Sequence, residues 1–222
     1  NILINCFPGQ WTKKGNGRHD HRRGRIFEGV HVLKYPGAVF LDRDGVIIKD
    51  KGFISEPDDV VLVDRAPEAI KKMSSMGLKN VVITNQSGIG RGLFSEESYM
   101  RVSERMVLLL KKSGASLEGV YYCPHAPREG CDCRKPGPGL ALRAARDLDI
   151  DLSRSFVIGD KRSDMELART IGAKGVLVRT GYGRQTEMEG DPLWDVVVED
   201  IEAAAEVIGR WIREEENGVR DG

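Results

Sequence analysis

The sequence predicts an α/β fold in which helices cover both faces of a central parallel sheet. Two observations carry this. From Pro36 onward, short apolar runs alternate with longer segments in which apolar residues recur at helical spacing. In addition, the reactive polar residues follow directly on several of those apolar runs, where open parallel sheets bind their ligands. Size agrees: 222 residues, 40% of them hydrophobic, suit one domain with a sizeable core, or one domain with an appendage.

The elements follow in order. Residues 1–34 hold seven Lys and Arg against Asp20 and Glu28, a net of +5, and are rich in Gly, Asn and His. With little strand or helix periodicity, they are expected to be a basic, poorly ordered tail ahead of a domain at 35–222. Residues 38–41 (AVFL) predict a strand ending at Asp42. A helix should begin at Pro67, which suits the first helical position, and stop at Gly77. A second strand is expected at 81–84. The next helix enters at Ser95 and carries Tyr99, Val102, Met106 and Leu110 on one face. Further strands are predicted at 120–122, 156–158, 176–178 and 196–198. Helices are expected at 138–148, after Asp160, and at 201–214.

Several function classes are excluded early. Lys and Arg number 34 and so do Asp and Glu, so overall charge offers no argument for nucleic acid or an anionic membrane surface. The longest apolar run, Met106 to Leu110, is far short of the ~18 residues of a membrane span. The first thirty residues lack the charged start and apolar stretch of a secretory signal, so a cytoplasmic location is expected. No heptad or exposed repeat suggests assembly, and a monomer is the expectation. Of four histidines, His19, His21 and His31 lie in the tail and His125 between cysteines, leaving little room for Ser-His-Asp or Cys-His catalysis. Chemistry must run on carboxylates, lysine, hydroxyls or metal.

Asp42 and Asp44 flank Arg43 just after the first strand, and Asp160 follows a later one. A turn alone would account for Asp and Gly there. Three carboxylates at adjacent strand ends, however, would repel one another unless a cation neutralised them, and hard oxygen ligands suit Mg²⁺. A carboxylate can also attack phosphorus to form an aspartyl phosphate. Thr84, Asn85, Gln86 and Ser87 offer hydroxyls and turn amides for phosphoryl oxygens. Arg134 and Lys135 supply positive charge for the transferring group.

The strings FLDRDGV, TNQSG, CRKPGPG and GDKRSD, in this order, resemble the four motifs of the haloacid dehalogenase-like (HAD) phosphatases. More narrowly, DRDGVIIKDKGF, TNQSGIGRG, YYCPH, CDCRKPGPG, GDKRSDMELA and VRTGYG are similar to the D-glycero-D-manno-heptose 1,7-bisphosphate 7-phosphatases and the related histidinol-phosphatase domains. The resemblance implies a HAD-like Rossmannoid three-layer sandwich with a minimal cap and a zinc-binding loop. It implies that Asp42 is the nucleophile and a Mg²⁺ ligand, and that Asp44 is the acid and base whose backbone carbonyl also reaches Mg²⁺. Asp160 would be the third ligand. Thr84 would bind a phosphoryl oxygen, Lys135 would neutralise the phosphoryl group, and Arg134, Lys161 and the turn Asn85–Gln86–Ser87 would contact substrate. Asp164 is expected to be a helix-start charge or a support for the ligands. Asp50, Lys51, Gly52 and Phe53 would form a flap facing the sugar.

Cys123, His125, Cys131 and Cys133 make up the Cys₃His set of a structural zinc site. A disulfide pair or a redox switch is the alternative reading. Bound zinc would have no open position and would fold the loop that presents Arg134 and Lys135. Thr84 is only 40 positions beyond Asp44 and Lys135 only 50 beyond Asn85, and each interval already contains a helix, so no sizeable cap domain fits. The expected substrate is a small phosphorylated metabolite, with heptose bisphosphate ahead of histidinol phosphate or another sugar or polyol phosphate. A non-catalytic HAD-like binding protein is the remote alternative. Such a protein would be expected to have lost one of Asp42, Asp44, Lys135 or Asp160, and all four are present.

Overall fold

Alternate residues of the AVFL strand face two different helical layers, as the two-residue period of a strand requires. Ala38 and Phe40 enter one apolar cluster and Val39 and Leu41 the other. The computed structural model describes residues 3–5, 37–190 and 192–218. Their strands are β1 (Leu3–Asn5), β2 (Ala38–Leu41), β3 (Lys79–Asn85), β4 (Gly119–Cys123), β5 (Phe156–Gly159), β6 (Lys174–Val178) and β7 (Val196–Val198). They form one sheet in the order β1-β4-β3-β2-β5-β6-β7, every pairing parallel.

The helices are α1 (Ala66–Ser75), α2 (Ser87–Gly90), α3 (Glu96–Lys112), α4 (Gly139–Leu148), α5 (Arg162–Ile171), α6 (Gly183–Met188) and α7 (Ile201–Gly218). Helices α1, α3 and α7 pack their apolar faces on one side of the sheet, through residues such as Ile70, Met106 and Ile208. Helices α4 and α5 cover the other, through Leu140, Ala144 and Met165. The expected three-layer arrangement around a central parallel sheet is therefore present. Ser95 caps α3 by accepting a hydrogen bond from the Ser98 N–H, and the four residues expected on its inner face are all buried.

The expected strands and helices all form, the last helix running to Gly218 rather than 214. Among the described residues, two short 3-10 turns (Pro57–Asp59 and Leu152–Arg154), two α-helices and one strand were not anticipated. Helices α2 and α6 are four and six residues long, and each contains glycine. Strand β1 lies within the segment expected to be a poorly ordered tail and pairs with β4, Leu3 opposite Gly119 and Asn5 opposite Tyr121. The rest of that expectation, at 1–2 and 6–34, lies outside the described residues.

Connectivity positions the site. Strand β2 continues to β3 on one side and its neighbour β5 continues to β6 on the other, so the connections diverge and leave a crevice beyond their carboxyl ends. Between β2 and α1 the chain folds over this crevice as a short flap. The Lys49 N–H donates to Val61 O (2.9 Å) and the Val63 N–H to Ile47 O (2.9 Å). Ile54 and Val60 anchor the flap in the core while Phe53 stays half exposed. Among the described residues no larger insertion covers the crevice.

The inner face of α3 gives a stability test. Met106 is fully buried and Leu108, two residues on, is 45% exposed. Met106→Ala should cost about 2–5 kcal/mol and Leu108→Ala less than about 0.5 kcal/mol, read as shifts in the urea unfolding midpoint.

Candidate active site

Polar residues at the ends of β2 and β3, and Lys161 just beyond β5, face a common cleft, whereas Asp160, the first polar residue after β5, is fully buried and does not line it. That cleft, of about 320 Å³, is lined by Asp42, Asp44, Asp50, Gly52, Phe53, Thr84, Asn85, Gln86, Ser87, Arg134, Lys135 and Lys161. All twelve were expected from the sequence. Ser163 and Tyr182 also line it and were not. The size is within the range of small-molecule sites.

Asp42 sits at the floor, 6% exposed, its backbone N–H donating to Ile158 O (3.0 Å) and so fixing it to β5. Lys135 Nζ lies 2.8 Å from Asp42 Oδ1 and 2.6 Å from Asp164 Oδ1, and donates to Ile83 O at 2.8 Å. Lys161 Nζ lies 3.1 Å from Asp160 Oδ1, 3.7 Å from Asp42 Oδ2 and 3.6 Å from Asp50 Oδ2 of the flap. Burial alone would push the Asp42 carboxyl up, but Lys135 and Lys161 together hold it below its ordinary value. The floor of the cleft therefore presents an ionised carboxylate. Burial works against the Lys135 charge, and Asp164 and Asp42 overcome it, so the ammonium persists.

Asp160 behaves differently. Burial and the neighbouring Asp42 push it up to about 7, with Lys161 opposing. Asp164 is also raised, by burial first and Asp42 after Lys135 is set against it. Oxygens of Asp42, Asp160 and Asp164 all lie within 4.8 Å of one another. Two ammonium groups thus leave a surplus of negative charge among three hard oxygen donors, a set that fits a divalent cation such as Mg²⁺. The Asp44 carboxylate lies outside this group. Asp164 joins it, and also accepts from the Lys161 N–H (3.1 Å) at the start of α5.

Two glycines make room for Asp160. Gly45 (φ +87°) and Gly181 (φ +54°) face each other across its carboxylate, and a Cβ on either would come within 2.4 Å and 2.1 Å of Asp160 Oδ2. The loop after β6 completes the cradle. The Tyr182 N–H donates to Asp160 Oδ2 (2.8 Å), the Thr186 hydroxyl to Asp160 O (2.8 Å), and the Thr180 hydroxyl to Gly45 O (2.6 Å). The Tyr182 ring also lies 5.0 Å from Lys161 Nζ. Sequence reasoning assigned these residues no role, although Thr180–Gly181–Tyr182 follow a strand and the same strand-end rule applied to them.

Side chains around Thr84 form a second network. Gln86 Nε2 donates to Thr84 Oγ1 (2.8 Å) and to Asp44 Oδ2 (2.9 Å). Arg43, which was read only as part of a turn, is 1% exposed and grips both Asp44 oxygens, Nε at 3.0 Å and Nη2 at 2.9 Å. Asn85 uses its amide on the Lys135 backbone, accepting from the N–H (2.9 Å) and donating to the carbonyl (3.1 Å). It therefore fixes the lysine as well as lining the cleft. Lys51 falls outside the cleft, its ammonium 3.7 Å from Asp59 on the exposed side of the flap.

Beside the cleft, Cys123 at the end of β4 meets His125, Cys131 and Cys133. Cys123 Sγ lies 3.6 Å from Cys131 Sγ and 3.3 Å from Cys133 Sγ, and His125 Nδ1 lies 3.2–3.5 Å from Cys133 and Cys123. All three cysteines are free thiols rather than disulfides. The four ligand atoms lie within 4.8 Å of one another, close to the ~3.7 Å edges of a tetrahedron around zinc with ~2.3 Å Zn–S bonds. Burial first, and then the neighbouring Cys131, push the Cys133 thiol up to about 11 although Cys123 opposes them, and a bound cation would reverse that.

Comparison with known proteins bears on this geometry. Residues 132–204 match the HAD-hydrolase-like family model. The D-glycero-β-D-manno-heptose-1,7-bisphosphate 7-phosphatase of Photorhabdus laumondii is 48% identical over 161 residues, 68% of this chain and 85% of that protein. The enzyme of the same name from Escherichia coli K12 is 43% identical over 172 residues, covering 73% and 90%. The crystal structure of D,D-heptose 1,7-bisphosphate phosphatase from B. bronchiseptica, complexed with magnesium and phosphate, superposes with a TM-score of 0.73 at 35% identity, over 78% of this chain and 98% of that one.

The raised Asp160 carboxyl has a consequence for stability. A buried acid whose folded value lies near 7 instead of 3.8 favours folding of the protonated form, so that contribution is lost as pH climbs through that window. In magnesium-free buffer the melting temperature should fall between pH 5 and pH 7.5, and Mg²⁺ should restore it at the higher pH. Asp160→Asn, uncharged throughout, should weaken both effects, leaving the part contributed by the likewise raised Asp164.

Proposed function

Since the chain belongs to the D-glycero-β-D-manno-heptose-1,7-bisphosphate 7-phosphatase family of HAD-like phosphatases, we propose that it removes the 7-phosphate of D-glycero-β-D-manno-heptose 1,7-bisphosphate. The observation that carries the chemistry is the Asp42 carboxylate, kept ionised at the floor of the cleft between Lys135 and Lys161. One Asp42 oxygen attacks phosphorus in line while the P–O bond to the sugar breaks. Asp44 gives the leaving alkoxide its proton, then takes one from the water that cleaves the aspartyl phosphate. Thr84, Lys135 and Arg134 hold the phosphoryl oxygens, and Lys161 offsets charge between the floor and the flap. Mg²⁺ bound at Asp42, Asp160 and the Asp44 carbonyl, with Asp164 beside them, would supply charge neutralisation and orient the phosphoryl group.

Several further assignments rest on the same reading. Asp50, Gly52 and Phe53 of the flap, with Asn85, Gln86 and Ser87, shape the sugar side of the cleft. Cys123, His125, Cys131 and Cys133 hold a structural zinc that fixes the loop ahead of Arg134 and Lys135. The catalytic body is the span 35–222, acting as a monomer in the cytoplasm on a small phosphorylated sugar. No helix among the described residues is long and apolar enough to cross a membrane.

Three measurements test these statements. In a phosphate-release panel, kcat/KM should be higher for the β anomer of heptose 1,7-bisphosphate than for the α anomer or histidinol phosphate. A preference for histidinol phosphate overturns the substrate. Asp42→Asn should lower kcat by at least about 10³-fold without changing the urea midpoint appreciably. Purified protein should contain stoichiometric zinc, and Cys131→Ser should lower both the zinc content and the activity.

A further inference from the structure

Arg43 is the largest fully buried side chain among the described residues, at 1% exposure, and it does not line the cleft. Burying a guanidinium is costly unless its partners are well placed. Here the polar partners are two cleft residues. Nε and Nη2 grip the two oxygens of Asp44 as a parallel fork, and Nη2 also donates to Gln86 Oε1 at 3.2 Å. Gln86 closes the ring by donating to Asp44 Oδ2 and to the Thr84 hydroxyl. Beneath the guanidinium lies the buried ring of Tyr99, 5.4 Å from the Arg43 Cζ atom. The remaining nitrogen, Nη1, is buried and makes no hydrogen bond, so the guanidinium donates to Asp44 and Gln86 and to no other group among the described residues.

We propose that Arg43 is a positioning residue for the acid–base half of the reaction. Its fork fixes the plane of the Asp44 carboxylate and, through Gln86, sets that carboxylate at a constant distance from the phosphoryl-binding Thr84. The inference rests on the reading of Asp44 as the acid and base. Proton transfer is steeply sensitive to donor geometry, and a carboxylate on a short side chain at a turn would otherwise sample several orientations. An Arg fork defines a plane, whereas a lysine ammonium at the same place defines only a point of charge.

The test separates positioning from mere structural support by changing the leaving group. An alkyl phosphate such as glycerol phosphate needs a proton on its departing oxygen, whereas 2,4-dinitrophenyl phosphate loses an anion stable enough to leave without one. Their kcat/KM values report the phosphorylation half-reaction. Arg43→Met and Arg43→Lys should each lower kcat/KM for the alkyl ester at least about 30-fold and that for the aryl ester less than about 3-fold. Adding Arg43→Lys to Asp44→Asn should produce little further loss on the alkyl ester. Equal losses on both esters, or no loss on the alkyl ester, overturn the proposal. Should Arg43→Met fail to fold by circular dichroism, Arg43→Lys, which keeps the buried charge but not the fork, decides alone. The single variant Asp44→Asn distinguishes the two readings. If it lowers both esters equally, the acid–base role itself fails; if it is selective while the Arg43 variants are not, only the positioning role fails.

Discussion

Parallel pairing of β2 with β5 forces Asp42 and Asp160 to emerge side by side, and α5 brings Asp164 against them. Three carboxylates buried this closely are unstable without compensation, because burial and mutual repulsion both oppose their ionisation. The compensation is asymmetric. Lys135 sits between Asp42 and Asp164, whereas Lys161 is shared among Asp160, Asp42 and Asp50. Asp42 therefore stays ionised and Asp160 does not do so readily, so two neighbouring carboxylates differ in charge. Gly45 and Gly181 are the steric counterpart of this arrangement, since any side chain there would occupy the space of the Asp160 carboxylate.

Delivering Lys135 to this position is the larger structural task. It arrives from a loop after β4, not from a strand end, and ordering a loop costs backbone entropy at every residue. Three ties limit that freedom. The Asn85 amide clamps the Lys135 backbone to the end of β3, and the Gly139 N–H donates to Asp132 O (3.0 Å) at the start of α4. The Cys₃His cluster draws Cys131 and Cys133 onto Cys123, itself fixed in β4. Cys133 is also buried in the core cluster beneath α4, so the loop is anchored by packing as well as by its polar ligands. The geometry of a residue that lines the cleft thus depends on a cluster that does not.

The parts of this design that were legible in the sequence share one physical cause. Strands buried on both faces read as unbroken apolar runs, so β2, β3, β4, β5 and β6 and their terminal residues were visible. The amphipathic face of α3 was equally plain, because one stripe packs and the rest does not. What escaped was whatever depends on a partner remote in sequence. Arg43 reads as a surface cation in an acidic turn until Gln86, 43 residues on, and Tyr99 enclose it. Lys51 reads as a flap cation but turns to Asp59, and Thr180, Tyr182 and Thr186 matter only because β6 ends beside β5. Strand β1 owes its existence to the open edge of β4, which no local propensity reveals.

The flap is a small cover tied to both sides of the cleft. It reaches the floor through one ion pair, Asp50 to Lys161, and reaches the opposite rim through Phe53, whose ring lies 6.4 Å from Phe94 and 5.3 Å from the Arg91 guanidinium. These are few contacts, at half-exposed side chains, so the flap stores little energy of its own. Lys161 also belongs to the carboxylate cluster and lies over the Tyr182 ring. Any anion entering the cleft must share this lysine with Asp42, Asp160 and Asp50 at once. The flap, the carboxylate cluster and the floor of the cleft are therefore linked through one ammonium group, without the interface of a separate cap domain.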